Sequence, residues 1–92
     1  MIATIRHKGL KRFYETGDRS KLPPEMVDRI RRILLLLDVA IEAADVAQPT
    51  MNLHQLQGTL RGHYAVTVRA NWRITFRIEN GHVHDVDFLD YH

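Results

Sequence analysis

The spacing of apolar residues changes once along this sequence, and that change restricts the folds open to the chain. From Val27 to Ile41 apolar residues recur every three or four positions, which predicts a helix with one buried stripe. From Tyr64 onward apolar and polar residues alternate, which predicts antiparallel strands with one buried and one solvent-facing side. Helices followed by consecutive strands predict an α+β fold, with two helices packed on one face of a twisted antiparallel sheet.

The shorter elements lie around these two regions. Residues 2–6 alternate like a first strand, and residues 7–15 have the apolar spacing of a short helix that ends before Gly17. The prolines Pro23 and Pro24 open the long helix, because proline is well tolerated in a first turn. Residues Leu35 and Leu36 widen the apolar arc of that helix. We expect a broadly buried helix; the alternative is that part of the arc docks a protein partner.

The connection at Asn80-Gly81 determines which residues lie opposite each other in the sheet. A two-residue turn would place Asp85 opposite Phe76 on the core side, because shifting the strand register by one residue moves every side chain to the opposite side of the sheet. An odd-length loop, or a bulge, would instead pair Arg77 with Asp85. We expect the odd-length loop, and the same kind of connection between the two preceding strands.

Length and composition limit the class of protein. The 92 residues predict a single domain, residues 1–92, and a hydrophobic content of 45% supports one modest core. The absence of cysteine excludes disulfides and cysteine-based zinc sites. The sequence has neither the apolar run of a signal peptide nor one that could span a bilayer. We therefore expect a cytoplasmic protein with no membrane association.

Three arginines of the strand region are predicted to share the polar side of the sheet: Arg69, Arg73 and Arg77. In one odd register Arg69 and Arg73 lie directly across from each other, an unfavourable pairing of like charges unless an anion lies between them. Phosphate is the obvious anion, because guanidinium binds it with two hydrogen bonds. The alternative is neutralisation by Asp85 and Asp87, which we expect for Arg77 more than for Arg73.

Histidines supply groups that could transfer protons. His54 lies in a leucine-flanked segment before a glycine, and the chain ends with Asp90, Tyr91 and His92. Imidazole gives and takes protons near neutral pH, although an isolated histidine is more often structural. A metal site at His82-x-His84 would lack a third fixed ligand, so we expect no metal and no cofactor.

Arginines for phosphate and imidazoles for protons together suggest RNA cleavage. RNA carries its own nucleophile, the 2′-hydroxyl beside the scissile phosphate. A base removes its proton, cations stabilise the charge on the phosphorane, and an acid protonates the departing 5′-oxygen. We therefore expect a 2′,3′-cyclic phosphate product and no cleavage of DNA.

The sequence resembles a known family over nearly its whole length. The strongest stretch is Val66-Thr67-Val68-Arg69-Ala70-Asn71-Trp72-Arg73-Ile74-Thr75-Phe76. The other matching segments are His7-Lys8-Gly9-Leu10, Val27-Asp28-Arg29-Ile30, Leu53-His54-Gln55-Leu56-Gln57-Gly58 and the closing Asp90-Tyr91-His92. On these segments the chain is similar to the HigB branch of RelE-type toxins from bacterial toxin–antitoxin pairs.

The resemblance implies a ribosome-dependent mRNA endonuclease that acts in the decoding site. It also implies a helix-turn-helix antitoxin of the HigA kind, which represses the shared operon and holds the monomeric toxin in a larger complex. By position, His54 and His92 would transfer protons, and Asp90 would orient them or accept a proton. Tyr91 would stack on the nucleotide, and Arg73, with Arg69, would hold the scissile phosphate.

The chain departs from the family pattern at Gln57, where members often carry lysine. One positive charge at the RNA is then missing, and Arg61 or Arg69 could replace it. The departure also leaves open a gyrase poison of the ParE kind, which needs no general acid. A third possibility is a non-catalytic partner-binding module of the same fold, using the surface around Leu35 and Leu36.

Overall fold

The computed structural model describes residues 1–91. Helix α1 spans Lys8–Thr16. It begins at His7, whose Nδ1 accepts a hydrogen bond from the Leu10 N–H at 3.0 Å and so caps one of the free amides of the first turn. It ends at Gly17, which adopts the left-handed conformation (φ 80°) and donates its N–H to the Phe13 carbonyl. The predicted short helix is confirmed, shifted by one residue.

Helix α2 spans Val27–Val39 and follows a single 3₁₀ turn at Pro24–Met26. Its buried stripe is formed by Val27, Ile30, Ile33, Leu34 and Leu37. The predicted helix was too long at its C-terminal end. Ala40 is extended, and Ile41, predicted in the stripe, lies beyond the helix and is 66% exposed. The Asp45 carboxylate accepts hydrogen bonds from the Ile41 and Glu42 N–H groups, which stabilises the non-helical path.

The outer side of α2 is less buried than expected. Leu35 is 63% exposed, whereas Leu36 is half-buried against the core. The prediction of a broadly buried helix is therefore wrong at Leu35. Among residues 1–91 no helix is long and apolar enough to cross a membrane.

Within residues 1–91 the sheet has four antiparallel strands in the order of the sequence. They are β1 (His54–Gln55), β2 (Tyr64–Arg69), β3 (Trp72–Glu79) and β4 (His82–Asp90). The predicted first strand, residues 2–6, lies parallel to β4 and forms only isolated bridges, from Ile2 to Val83 and from Ile5 to Val86. The N-terminal segment thus extends the sheet beyond β4.

The strand connections differ from the predicted odd-length loops. Glu79 pairs with His82, so Asn80-Gly81 is a two-residue turn with positive φ at both positions. Such turns match the twist of the flanking strands, which favours them over longer loops. A bulge at Asp85 then restores the alternation, and the Arg77 Nε donates to the Asp85 carboxylate at 2.6 Å. The predicted ion pair is present, but the predicted loop was wrong, and the residue opposite Arg77 in the register is His84 rather than Asp85.

The same correction applies between β2 and β3. Arg69 pairs with Trp72 across a two-residue turn, and a bulge falls between Thr67 and Arg69. Thr67, rather than Arg69, lies opposite Arg73. The register in which two arginines face each other does not form.

The core lies between the two helices and one side of the sheet. Fully buried side chains of the strands include Val66, Ile74, Phe76, Val83 and Val86. At one end of the sheet Trp72 stacks on Phe88, with ring centroids 4.6 Å apart. The opposite side of the sheet is left for polar residues.

Candidate functional site

Strand register places two of the predicted site residues on the polar side of the sheet. His54 of β1 lies opposite Ala65, and Ala65 lies opposite Thr75 of β3. Arg73 is two residues from Thr75 along the same strand. Residues directly opposite in an antiparallel pair share a side, and alternate residues of one strand share it too, so His54 and Arg73 lie on one surface.

The separation of His54 and Arg73 follows from sheet geometry. Two strand spacings and two residues along a strand place their Cα atoms about 12 Å apart. The short side chains of Ala65 and Thr75, each 2% exposed, lie between them.

Arg73 is held in place without being neutralised. Its Nη1 donates to the Ala70 carbonyl at 2.6 Å and to the Trp72 carbonyl at 3.2 Å. Among residues 1–91 no carboxylate forms an ion pair with it. The carbonyls fix the guanidinium and leave its charge available to an anion.

Arg77, on the same side of β3, is neutralised. It pairs with Asp85 at 2.6 Å and also with Glu79. These hydrogen bonds raise the pKa of Arg77 and lower the pKa values of Asp85 and Glu79. Arg6 adds a further charge 3.7 Å from Asp85. The expected neutralisation of Arg77 is confirmed.

The end of β4 lies beside Arg73. Asp90 pairs with Trp72, the neighbour of Arg73, and the Tyr91 N–H donates to the Asn71 carbonyl at 2.8 Å. Leu89 lies opposite Arg73, so the Asp90 side chain lies with Trp72 on the other side of the sheet, which corrects the prediction that it shares the side of Arg73, and Tyr91 follows one residue beyond the strand. His92, the second predicted proton-transfer residue, lies outside the described residues.

Three other predicted residues lie in β2 or follow β1. Arg69 lies opposite Trp72 and therefore on the other side of the strand pair, which corrects the prediction that it shares the side of Arg73. Gln57 and Arg61 flank a 3₁₀ turn at Gly58–Leu60, directly after β1, and both are exposed. They belong to the His54 end of the surface.

Two structural residues of this region were missed by sequence reasoning. The His63 imidazole has both nitrogens buried and no hydrogen-bond partner among residues 1–91. Arg29 of α2 donates to the Thr67 carbonyl at 3.0 Å and to the Thr50 carbonyl, which fastens β2 beside Arg73. No pattern in the sequence indicates the burial of His63 or the contacts of Arg29, because both depend on how distant segments pack together.

A metal centre is not assembled from the alternative cluster considered above. Within residues 1–91 no three histidine, aspartate or glutamate side chains come together as metal ligands. The residues around His82 and His84 therefore do not form a metal site within the part of the chain that the structure describes.

Comparison with solved structures defines the class of fold. The YoeB dimer from Staphylococcus aureus superposes with a TM-score of 0.62 at 17% identity, covering 99% of this chain and 94% of that chain. The YoeB–YefM complex from the same organism gives 0.63 at 15% identity, covering 100% and 98%. At these identities the likeness shows the fold alone, and it is that of a small RelE-like α+β protein.

Sequence comparison defines the family. The chain belongs to the HigB-like family, the RelE-like toxins of type II toxin–antitoxin systems, whose model matches residues 3–92. It is 42% identical to Endoribonuclease HigB of Proteus vulgaris over 92 residues, the full length of both chains. It is also 30% identical over 83 residues to Toxin HigB-1 of Vibrio cholerae, covering 88% of this chain and 87% of that protein.

These comparisons confirm the predicted family and the predicted class, a toxin of a type II system. Membership also gives the chain an antitoxin as partner, since the family consists of toxins from such pairs. The assignments of individual site residues remain predictions.

Proposed function

We propose that this chain is a ribosome-dependent mRNA endonuclease that inhibits translation by cutting message in the decoding site. Its family and its 42% identity to a protein named as an endoribonuclease support the proposal. The observation that carries it is the contrast between Arg73 and Arg77. One guanidinium is compensated by two carboxylates, and the other is oriented by carbonyls alone.

The chemistry requires an uncompensated cation. In-line attack of the 2′-oxygen on phosphorus forms a new P–O bond, and the bond to the 5′-oxygen then breaks. Negative charge builds on the non-bridging oxygens, and a fixed guanidinium stabilises it without reorganising. Arg73 meets this requirement; Arg77, already paired, does not.

The other roles follow from position on the surface. His54 would take the proton of the 2′-hydroxyl or return one to the 5′-oxygen, and His92 would do the complementary transfer. Asp90 would orient the histidines or accept a proton, and Tyr91 would stack on a base beside Arg73. Asp90 and Tyr91 lie at the end of β4, the strand that pairs with β3 beside Arg73, and this position supports the grouping.

Three further residues would contact the RNA outside the cleaved bond. Gln57 and Arg61, at the His54 end, would bind the flanking nucleotide, with Arg61 supplying the charge that Gln57 lacks. Arg69, on the other side of the strand pair, would bind backbone beyond the scissile phosphate.

The partner and the site of action follow from the same proposal. The antitoxin would be a HigA-like helix-turn-helix protein that holds the monomeric toxin in a higher-order complex. Action on translating ribosomes would place the toxin in the cytoplasm, with no cofactor needed.

A matched pair of variants tests the proposal. Arg73→Gln and Arg77→Gln remove the same charge from the same side of the same strand. We expect Arg73→Gln to slow cleavage of message on ribosomes by about 10²–10³-fold, the usual effect of removing one transition-state donor. Arg77→Gln should change the rate less than about threefold and act mainly on stability, because it leaves Asp85 with only the more distant Arg6 as a charged partner.

Cleavage is read by primer extension on message bound to translating ribosomes, and folding by circular dichroism. Equal losses in both variants would contradict the assignment of Arg73. Intact message together with a DNA-damage response after induction would contradict the nuclease proposal and support the alternative of a gyrase poison.

A further inference from the structure

A second concentration of positive charge lies on α1, outside the proposed catalytic surface. Lys8, Lys11 and Arg12 are spaced three and four residues apart on one side of the helix. Lys21, from the segment after α1, joins them around an open cleft of about 660 Å³. All three lysines of the chain line this cleft, which we call the lysine cleft.

Acidic residues do not balance this charge. Arg12 is paired with Asp18, and Glu15 lines the cleft. The three lysines form no ion pair with any of residues 1–91. The lysine cleft therefore keeps a net positive charge on an exposed surface.

The lysine cleft depends on close packing at Gly9. A Cβ at this position would lie 2.7 Å from the Lys21 Cβ and 3.1 Å from the His7 Cε1. Glycine is unfavourable inside a helix, so its presence here is explained by the approach that only glycine permits. Gly9 thereby permits Lys21 to pack against α1, which brings charges from two segments to one cleft.

Contacts between rings connect the lysine cleft to the catalytic end of the sheet. The His7 ring meets Phe88 edge-on, with centroids 5.6 Å apart, and Phe88 stacks on Trp72. Trp72 is the chain neighbour of Arg73. The lysine cleft therefore lies at the Trp72 end of the sheet, on the side that the helices cover, whereas the Arg73 side chain lies on the opposite side of the sheet.

The chemistry of the lysine cleft favours phosphate backbone as its ligand. Lysine ammonium groups are compact, strongly hydrated charges that bind phosphates without reading bases. An open cleft with several exposed amines suits a chain of phosphates, whose binding is driven by the release of counterions.

We infer that the lysine cleft binds the phosphate backbone of RNA outside the cleaved nucleotide and so fixes the toxin on its target. This inference rests on the proposed function, which makes RNA the target. The RNA could be ribosomal or could be the message itself, and the experiment separates these sources.

Lysine footprinting tests the inference directly, because every lysine of the chain lies in the cleft. The purified toxin is treated with an amine-acylating reagent alone, with vacant ribosomes, and with a 2′-O-methylated single-stranded RNA that cannot be cut. We expect acylation of Lys8, Lys11 and Lys21 to slow at least fivefold in one RNA arm. The exposed α-amine of Met1 is the internal reference and should stay reactive.

Protection by vacant ribosomes assigns the lysine cleft to ribosomal RNA, and protection by the single strand alone assigns it to message. Unchanged acylation in both arms overturns the inference. Cleavage by the parent protein is measured separately. A toxin that cuts message without lysine protection would refute only the lysine cleft, and protection without cutting would refute only the nuclease.

Charge variants give a second measurement. Two triple variants lower the formal charge from +2 to −1. The cleft variant combines Lys8→Gln, Lys11→Gln and Lys21→Gln, and the control combines Arg19→Gln, Arg31→Gln and Arg32→Gln. The logarithm of Kd changes with the logarithm of salt concentration with a slope of ~0.7 per phosphate contact. The loss of three contacts therefore predicts binding on the order of a hundredfold weaker at 0.1 M salt for the cleft variant.

The plot of log Kd against log salt should also become shallower by about two in the cleft variant, because three phosphate contacts are lost. The control should bind within about threefold of the parent, because its three arginines do not line the lysine cleft and act on a phosphate there only through screened solvent. Equal weakening in both variants would attribute the effect to net charge and overturn the inference.

Discussion

The hydrogen bond between Tyr14 and Asp38 joins three segments of the fold, and its removal has a predictable size. The Tyr14 hydroxyl donates to the Asp38 Oδ1 at 2.6 Å, and the Ile2 N–H donates to the same oxygen at 3.2 Å. This contact links α1, α2 and the N-terminal segment. Tyr14→Phe removes only the hydroxyl and leaves the ring in place.

Two arguments give the magnitude of the loss. A hydrogen bond to a charged acceptor contributes about 1.5–3 kcal/mol. The bond to Asp38 also raises the pKa of Tyr14 from 10.0 to about 12. Two pKa units correspond to about 2.7 kcal/mol before solvent screening, which reduces the value at this partly exposed site. We therefore expect Tyr14→Phe to lower the free energy of unfolding by about 1–2 kcal/mol.

The pH dependence gives a second check. Because the folded-state pKa of Tyr14 is raised, its contribution is complete below pH 10 and is lost as the pH rises toward 12. The pKa of Asp38 is lowered, chiefly by the bond from Tyr14, so its contribution is lost only as the pH falls through this depressed value. The difference in free energy of unfolding between parent and variant should be constant between these two pH ranges and should become smaller within each of them.

Urea unfolding at a series of pH values measures this difference. Tyr64→Phe is the matched control, because the Tyr64 hydroxyl has no hydrogen-bond partner among residues 1–91 and its ring stacks on Phe76. A loss below about 0.3 kcal/mol for Tyr14→Phe, or a difference unchanged from pH 7 to 11.5, would refute the reasoning.

Two further substitutions have defined outcomes. Gly9→Ala should lower stability by about 1–3 kcal/mol in thermal unfolding, although alanine favours helix, because its Cβ would meet the Lys21 Cβ at 2.7 Å; a stabilised variant would show that the approach is not tight. Gln57→Lys should raise the rate of message cleavage by up to about tenfold, because it adds a cation at the His54 end of the surface. An unchanged rate would mean that Arg61 already supplies that charge.

Much of the fold follows from local patterns in the sequence. The stripe through Val27, Ile30 and Leu37 and the alternation through Ile74 and Phe76 produce the expected helix and strand. In both cases the burial of one side of the element determines the spacing of apolar residues, and this spacing can be read from the sequence alone.

The strand register could not be predicted in the same way. The choice between an odd-length loop and a turn with a bulge depends on the twist of both strands, and both choices restore the alternation. The bulge at Asp85 preserved the ion pair with Arg77, whereas the bulge before Arg69 separated it from Arg73. The predicted contact between Arg77 and Asp85 is therefore present although the loop prediction was wrong, whereas the predicted approach of Arg69 to Arg73 is absent.

The candidate site was partly predictable for the same reason. Arg73 and His54 lie on one side of the sheet because residue alternation places them there. The fixing of Arg73 by the Ala70 and Trp72 carbonyls depends on the turn that precedes β3, and no residue pattern indicates it. The lysine cleft likewise depends on the packing of Lys21 on Gly9.

The chemistry of the cut tests the central claim most directly. Message carrying a single 2′-deoxynucleotide at the mapped cleavage position is bound to ribosomes and treated with the toxin. A nuclease that uses the 2′-hydroxyl should leave this message intact at that position, and should give a 2′,3′-cyclic phosphate on the unmodified message. Cleavage of the deoxy-substituted message at an unchanged rate would contradict the account.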